Sequence, residues 1–137
     1  MALRKTTLKA ILTKATDGLL YLSESDYPFT YVQSRKRQEP DTSPAEILQQ
    51  AVGHQPQGEI EEVAFTEWFG RLTQAQEWHT EEDKATVERY RHLQKVLKKY
   101  LTDLRVYRVG EIEVTIYVLG RTKQGRWAGL KTTAIET

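Results

Sequence analysis

The stretch Val106-Tyr107-Arg108-Val109-Gly110-Glu111-Ile112-Glu113-Val114-Thr115-Ile116-Tyr117-Val118 carries the change of period on which the architecture turns. Ile112, Val114, Ile116 and Val118 fall on one side of an extended chain, with Glu113, Thr115 and Tyr117 on the other. Val106 to Val109 is a strand of its own, and Gly110-Glu111 is the turn between two antiparallel strands. Gly120 to Gly125 reads as a second polar turn, and Arg126 to about Ile135 returns as a third strand. Immediately upstream the period is helical. Thr80 followed by Glu81, Glu82 and Asp83 reads as an N-cap with a carboxylate in the capping-box position, and the three acids suit the helix dipole. Val87, Tyr90, Leu93, Val96, Leu97, Tyr100 and Leu101 then repeat on one face through about Thr102, with Glu88 and Arg91 spaced to pair and Lys98 and Lys99 in the last turn.

Further upstream, Leu8, Ile11, Leu12 and Ala15 have helical spacing, Thr6 or Thr7 can cap them, and Gly18 is placed to end the helix. Leu19 to Leu22 reads as a short buried extended piece ahead of the turn-prone Ser23-Glu24-Ser25-Asp26. Tyr31 to Arg35 reads as a strand, and Ser34 through Pro44, with Arg35-Lys36-Arg37, as an exposed connection. A helix is expected from Ser43 to about Ala51 with Pro44 at its first position. His54 to Gly58 breaks regular structure, Ile60 to Phe65 suits a strand, and Glu67 to Leu72 a short helix with Trp68 and Phe69 inward. Helices followed by an antiparallel meander predict an α+β domain spanning 1–137. A three-layer sandwich would result if the first and the long helix covered opposite faces.

Composition excludes much. At 137 residues the chain has the length of one domain, and it can bury a core without staples. Twenty Lys+Arg against nineteen Asp+Glu leave a net charge of +1, so a charged partner must be met by local patches. Absence of cysteine removes thiol nucleophiles and thiolate metal sites. Neither a signal-peptide core nor an apolar run long enough for a membrane span is present, and the sequence reads as soluble and cytoplasmic.

No nucleophile elbow, P-loop, dinucleotide fingerprint or H-E-x-x-H occurs, and His54, His79 and His92 have no close metal spacing, so no enzyme is expected. The acids Glu77, Glu81, Glu82 and Asp83 read better as a dipole-neutralising helix start than as a cation site. Arg35-Lys36-Arg37 beside Tyr31 could contact phosphate, yet three bases between prolines are the ordinary surface of a solvated loop. Trp78 lies in a polar stretch without periodic apolar neighbours, so it is either a plug at the helix start or an exposed anchor for a partner. Ser23-Glu24-Ser25-Asp26 can present a carboxylate to a cation. Glu136-Thr137, at the tip of the last strand, gathers a side-chain carboxylate, an α-carboxylate and a hydroxyl.

These features resemble a known family. Asp17-Gly18-Leu19-Leu20-Tyr21-Leu22-Ser23-Glu24-Ser25-Asp26-Tyr27-Pro28-Phe29, Val106 to Val114, Ala128-Gly129-Leu130 and terminal Glu136-Thr137 resemble the nuclease A inhibitor family of cyanobacteria over nearly the whole chain. The resemblance implies a three-layer α/β/α sandwich similar to the pathogenesis-related-protein fold. It also implies an inhibitor of a sugar-nonspecific, Mg²⁺-dependent DNA/RNA endonuclease. The inhibitor needs no cofactor of its own; the divalent metal belongs to the nuclease. Carried over by motif, Thr137 reaches that metal, Glu24 engages the active-site region and Trp78 packs at the interface, with Glu136 beside Thr137 at the tip. The chain is less acidic than the family's members. Two alternatives stand beside this reading: an interaction domain with another partner, and a small nucleic-acid-binding module, although direct nucleic-acid binding is not expected from the charge balance.

Overall fold

The computed structural model describes residues 7–22, 25–34, 44–52, 58–74 and 76–136. In chain order the elements are α1 (Leu8–Ala15), β1 (Leu20–Leu22), β2 (Asp26–Pro28), β3 (Thr30–Gln33), α2 (Pro44–Val52), β4 (Ile60–Val63), α3 (Phe65–Leu72), α4 (Glu81–Tyr100), β5 (Thr102–Val109), β6 (Glu113–Arg121) and β7 (Trp127–Ile135). This is an α+β fold. β1 and β2 form a two-stranded hairpin, and the other strands form one antiparallel sheet in the order β3-β7-β6-β5-β4.

Period-two alternation sorts the sheet's side chains into two apolar clusters. Val106, Val114, Ile116, Val118, Ala128, Leu130 and Ala134 bury against Leu12 of α1, Trp68 and Phe69 of α3, and Tyr90, Leu93 and Leu97 of α4. Residues of the opposite parity, among them Tyr107, Val109, Tyr117, Leu119 and Trp127, bury with Ile47 and Leu48 of α2. α1 and α4 pack against each other. They share a face, and α2 is the helix that covers the other.

The helix starts follow the sequence. The Thr7 hydroxyl accepts from the Ala10 amide, and Thr80 and Asp83 form a reciprocal capping box. Several details depart from expectation. Gly120 and Arg121 extend β6 by pairing with Ala128 and Trp127 instead of opening the turn, and Leu20 of β1 is exposed rather than buried. α3 begins at Phe65, two residues early, with Phe65 in the core. α4 ends at Tyr100, which is half exposed, while Leu101 leaves the helix and is buried. Ser34 is no solvated loop residue: it is fully buried, its amide donates to the Trp127 carbonyl at 2.7 Å and its hydroxyl accepts from the Trp127 amide at 3.0 Å. Ile112 sits in the β5–β6 turn and is 62% exposed rather than facing the core.

Candidate functional site

Strand direction determines which residues meet. β5 runs from Thr102 to Val109, β6 returns from Glu113, and Glu113 pairs with Ile135 near the end of β7. Val109 also pairs with Ile60, the first residue of β4. The ends of β5 and β7, the start of β4 and the β5–β6 turn therefore share one end of the sheet. The β1–β2 hairpin reaches the same end, because β3 pairs Thr30 with Lys131 and the chain before it continues along β7. The Thr132 hydroxyl donates to the Pro28 carbonyl at 3.0 Å and fixes that approach. α4 enters β5 through Leu101 alone, at the opposite end. With 20 residues it spans about 30 Å, as long as the nine-residue strands, so its N-terminus and the preceding Trp78 return to the first end.

Sequence-distant residues are joined there. The Glu136 amide donates to the Ile112 carbonyl at 2.8 Å, continuing the ladder beyond β7. Its carboxylate accepts from the Arg108 guanidinium, which also lies 3.9 Å from Glu61. The Glu136 carboxylate thus turns toward the face of the sheet covered by α1, α3 and α4 rather than projecting free from the strand tip. Arg108 holds the Glu136 carboxyl below its ordinary value, and Glu136 raises the guanidinium's. Arg108, Glu136, Glu61, Glu67, Arg71 and Trp68 line a cleft of about 550 Å³. Tyr21 stacks on Trp68 with ring centroids 5.5 Å apart, and burial pushes its hydroxyl above the ordinary value while Arg108 opposes the shift.

Trp78 is 77% exposed, which excludes the plug reading. Its one ring contact among the described residues is an edge-on approach to His79 at 4.3 Å. The His79 ring is fixed in turn by the Gln76 amide, which donates to Nδ1 at 3.0 Å. His79 and Arg71 line a further depression beside Tyr90, so Arg71 links the Trp78 loop to the cleft of Glu136. Two large apolar side chains, Trp78 and Ile112, are therefore displayed at an end otherwise rich in carboxylates, among them Glu59, Glu61, Glu81, Glu82, Glu111 and Glu113.

Of the residues singled out from sequence, Glu24, Thr137 and the Arg35-Lys36-Arg37 run lie outside the described residues. Their neighbours Leu22, Ser25 and Glu136 are described, at the end just outlined. Arg108 and Ile112 were not singled out. A signal existed for Arg108, since it has the parity of inward-facing Val106, where a cation needs a partner. Among the described residues no group of His, Asp or Glu could hold a metal ion, and no helix is long and apolar enough to cross a membrane. Nothing matches the chain among curated proteins. The family described as NuiA: Nuclease A inhibitor-like protein matches residues 6–137.

Proposed function

The chain belongs to the NuiA family of nuclease A inhibitor-like proteins, and from that premise we propose that it inhibits a sugar-nonspecific, Mg²⁺-dependent DNA/RNA endonuclease by plugging its active site. It is an inhibitor rather than an enzyme, and any metal involved is the nuclease's. Helices against both faces of the sheet support reading the fold as a three-layer α/β/α sandwich of the pathogenesis-related-protein type.

The mechanism is mimicry of a polyanion by side chains that cannot be hydrolysed. A site built to bind phosphate through a hard divalent cation accepts carboxylate and hydroxyl oxygens equally well. Thr137 supplies the oxygen directed at the metal, and Glu24 the carboxylate for a cationic group in the cleft. Trp78 gives apolar area to an otherwise charged interface. Glu136 acts on position. The observation that carries this reading is the tether of Glu136 to Arg108 and to the Ile112 carbonyl: it holds Glu136 in place, so ordering that residue costs little on binding.

The test is a titration of Mg²⁺-dependent nuclease activity on single- and double-stranded substrates. Wild type should inhibit at equimolar ratio. Glu24→Gln and Thr137→Val should weaken inhibition, and removal of Glu136-Thr137 should abolish most of it. Full inhibition by the truncated protein would sink the plug mechanism.

A further inference from the structure

At the far end of the molecule the charge reverses. α1 and α4 pack side by side and leave a groove that opens onto the β6–β7 turn; its two halves, of about 870 and 690 Å³, share Ile11 and Tyr100. The floor is apolar and aromatic, made by Ile11, Val96, Tyr31 and Tyr100. Along the walls stand Lys14, Lys95 and Lys99, then Lys9, Lys123 and Arg126. Glu88 is the one carboxylate among the lining residues, and it is already paired with Arg91. None of the six cations has an ion-pair partner among the described residues.

Helix-dipole chemistry accounts for Lys98 and Lys99 in the last turn of α4. It accounts equally for Lys14 in the last turn of α1, but not for Lys9 in the first turn of α1 or for Lys123 and Arg126 of the turn, which are brought to the same groove by tertiary packing. Cations gathered from three elements over a tyrosine floor, with no free acid, fit an anionic chain that carries flat rings. We propose that this groove binds single-stranded nucleic acid, with phosphates along the lysines and unpaired bases stacked on Tyr31 and Tyr100. Duplex DNA keeps its bases stacked on one another, and an acidic peptide without aromatic side chains has no ring to offer, so both would leave the aromatic floor unused. The site is separate from the acidic end and does not rest on the inhibitor reading.

The experiment is fluorescence anisotropy of a labelled 15-nucleotide oligothymidine with the full chain, without nuclease or divalent metal, at rising NaCl. Contacts to three to five phosphates predict a slope of log affinity against log salt of about −2 to −3.5. The double variant Lys95→Gln/Lys99→Gln should lose about tenfold or more in affinity and flatten the slope by about 1.4. Tyr100→Ala should lose about fivefold or more with the slope unchanged. Both lysines are exposed, so the double variant should melt as wild type does and should still inhibit nuclease. Three results would overturn the proposal: no binding at 50 mM salt, equal binding of a polyglutamate of the same length, or a slope indifferent to the lysines.

Discussion

Arg108 shows how one side chain turns a strand end into a fixed platform. It occupies a position whose parity faces the core, at the margin where the core gives way to solvent, and it answers that placement by pairing with Glu136 and Glu61. Both partners are partly exposed, so the pair is worth at most about 1 kcal/mol of stability. Its value lies in geometry. The sign of the linkage is clear: Glu136 is depressed when folded, so its contribution is present above the unfolded value of about 4.3 and is lost as pH falls through the folded one. Arg108→Met should raise the Glu136 carboxyl toward its ordinary value in an NMR titration and weaken inhibition with little change in melting temperature. An unmoved Glu136 titration would show that the contact does not persist in solution. Trp78 yields the complementary expectation. Because the ring is exposed, Trp78→Ala should leave folding stability within about 0.5 kcal/mol while costing about 2 kcal/mol or more of binding to the nuclease. A mutant with lower stability and intact inhibition would reverse that assignment.

Among the elements, those with strong local codes were legible in the sequence. α4 announced itself through Thr80 and Asp83, and β5, β6 and β7 through alternation and the turn at Gly110, whereas the turn read over Gly120–Gly125 begins only after Arg121. The β1–β2 hairpin was half legible: Leu19 to Leu22 read as extended, but Asp26–Pro28 is polar and ends in proline, and its pairing depends on contacts with β7 that no local pattern records. Ser34 was misread because a polar residue after a strand resembles a loop until Trp127 is seen pairing with it. Ile112 fits the alternation of β6 but falls in the turn. At the site, Trp78 and the Glu136 position were visible as chemistry out of place. Arg108 was marked by its parity with Val106, but its partners Glu61 and Glu136 became visible only with the sheet register. Two substitutions check the elements. Gly129 lies in β7 between β3 and β6, where an added Cβ would come 1.9 Å from the Val118 carbonyl oxygen, so Gly129→Ala should destabilise by about 1–3 kcal/mol or more in a denaturant titration. Thr80→Ala, which removes the cap, should cost about 1 kcal/mol by the same measurement. A neutral Gly129→Ala would mean the strand register is different.

Over the whole molecule, a formal charge of +1 conceals two opposed surfaces. Carboxylates collect around the β5–β6 turn, the start of β4 and the start of α4, while lysines without an ion-pair partner among the described residues line the groove between α1 and α4. An acidic end suits a nuclease cleft, which is built to attract a polyanion, so association should be fast at low salt and slow as salt screens it, with dissociation little affected. Stopped-flow association rates at two ionic strengths would test this, and a salt-independent rate would remove electrostatic steering. The most direct measurement is a stoichiometric titration of a sugar-nonspecific Mg²⁺-dependent nuclease with wild type, Glu24→Gln and the protein lacking Glu136-Thr137. We predict that wild type extinguishes activity at one inhibitor per nuclease, that Glu24→Gln needs a clear excess, and that the truncated protein leaves most activity intact; equal inhibition by all three, or none by wild type, would contradict the account.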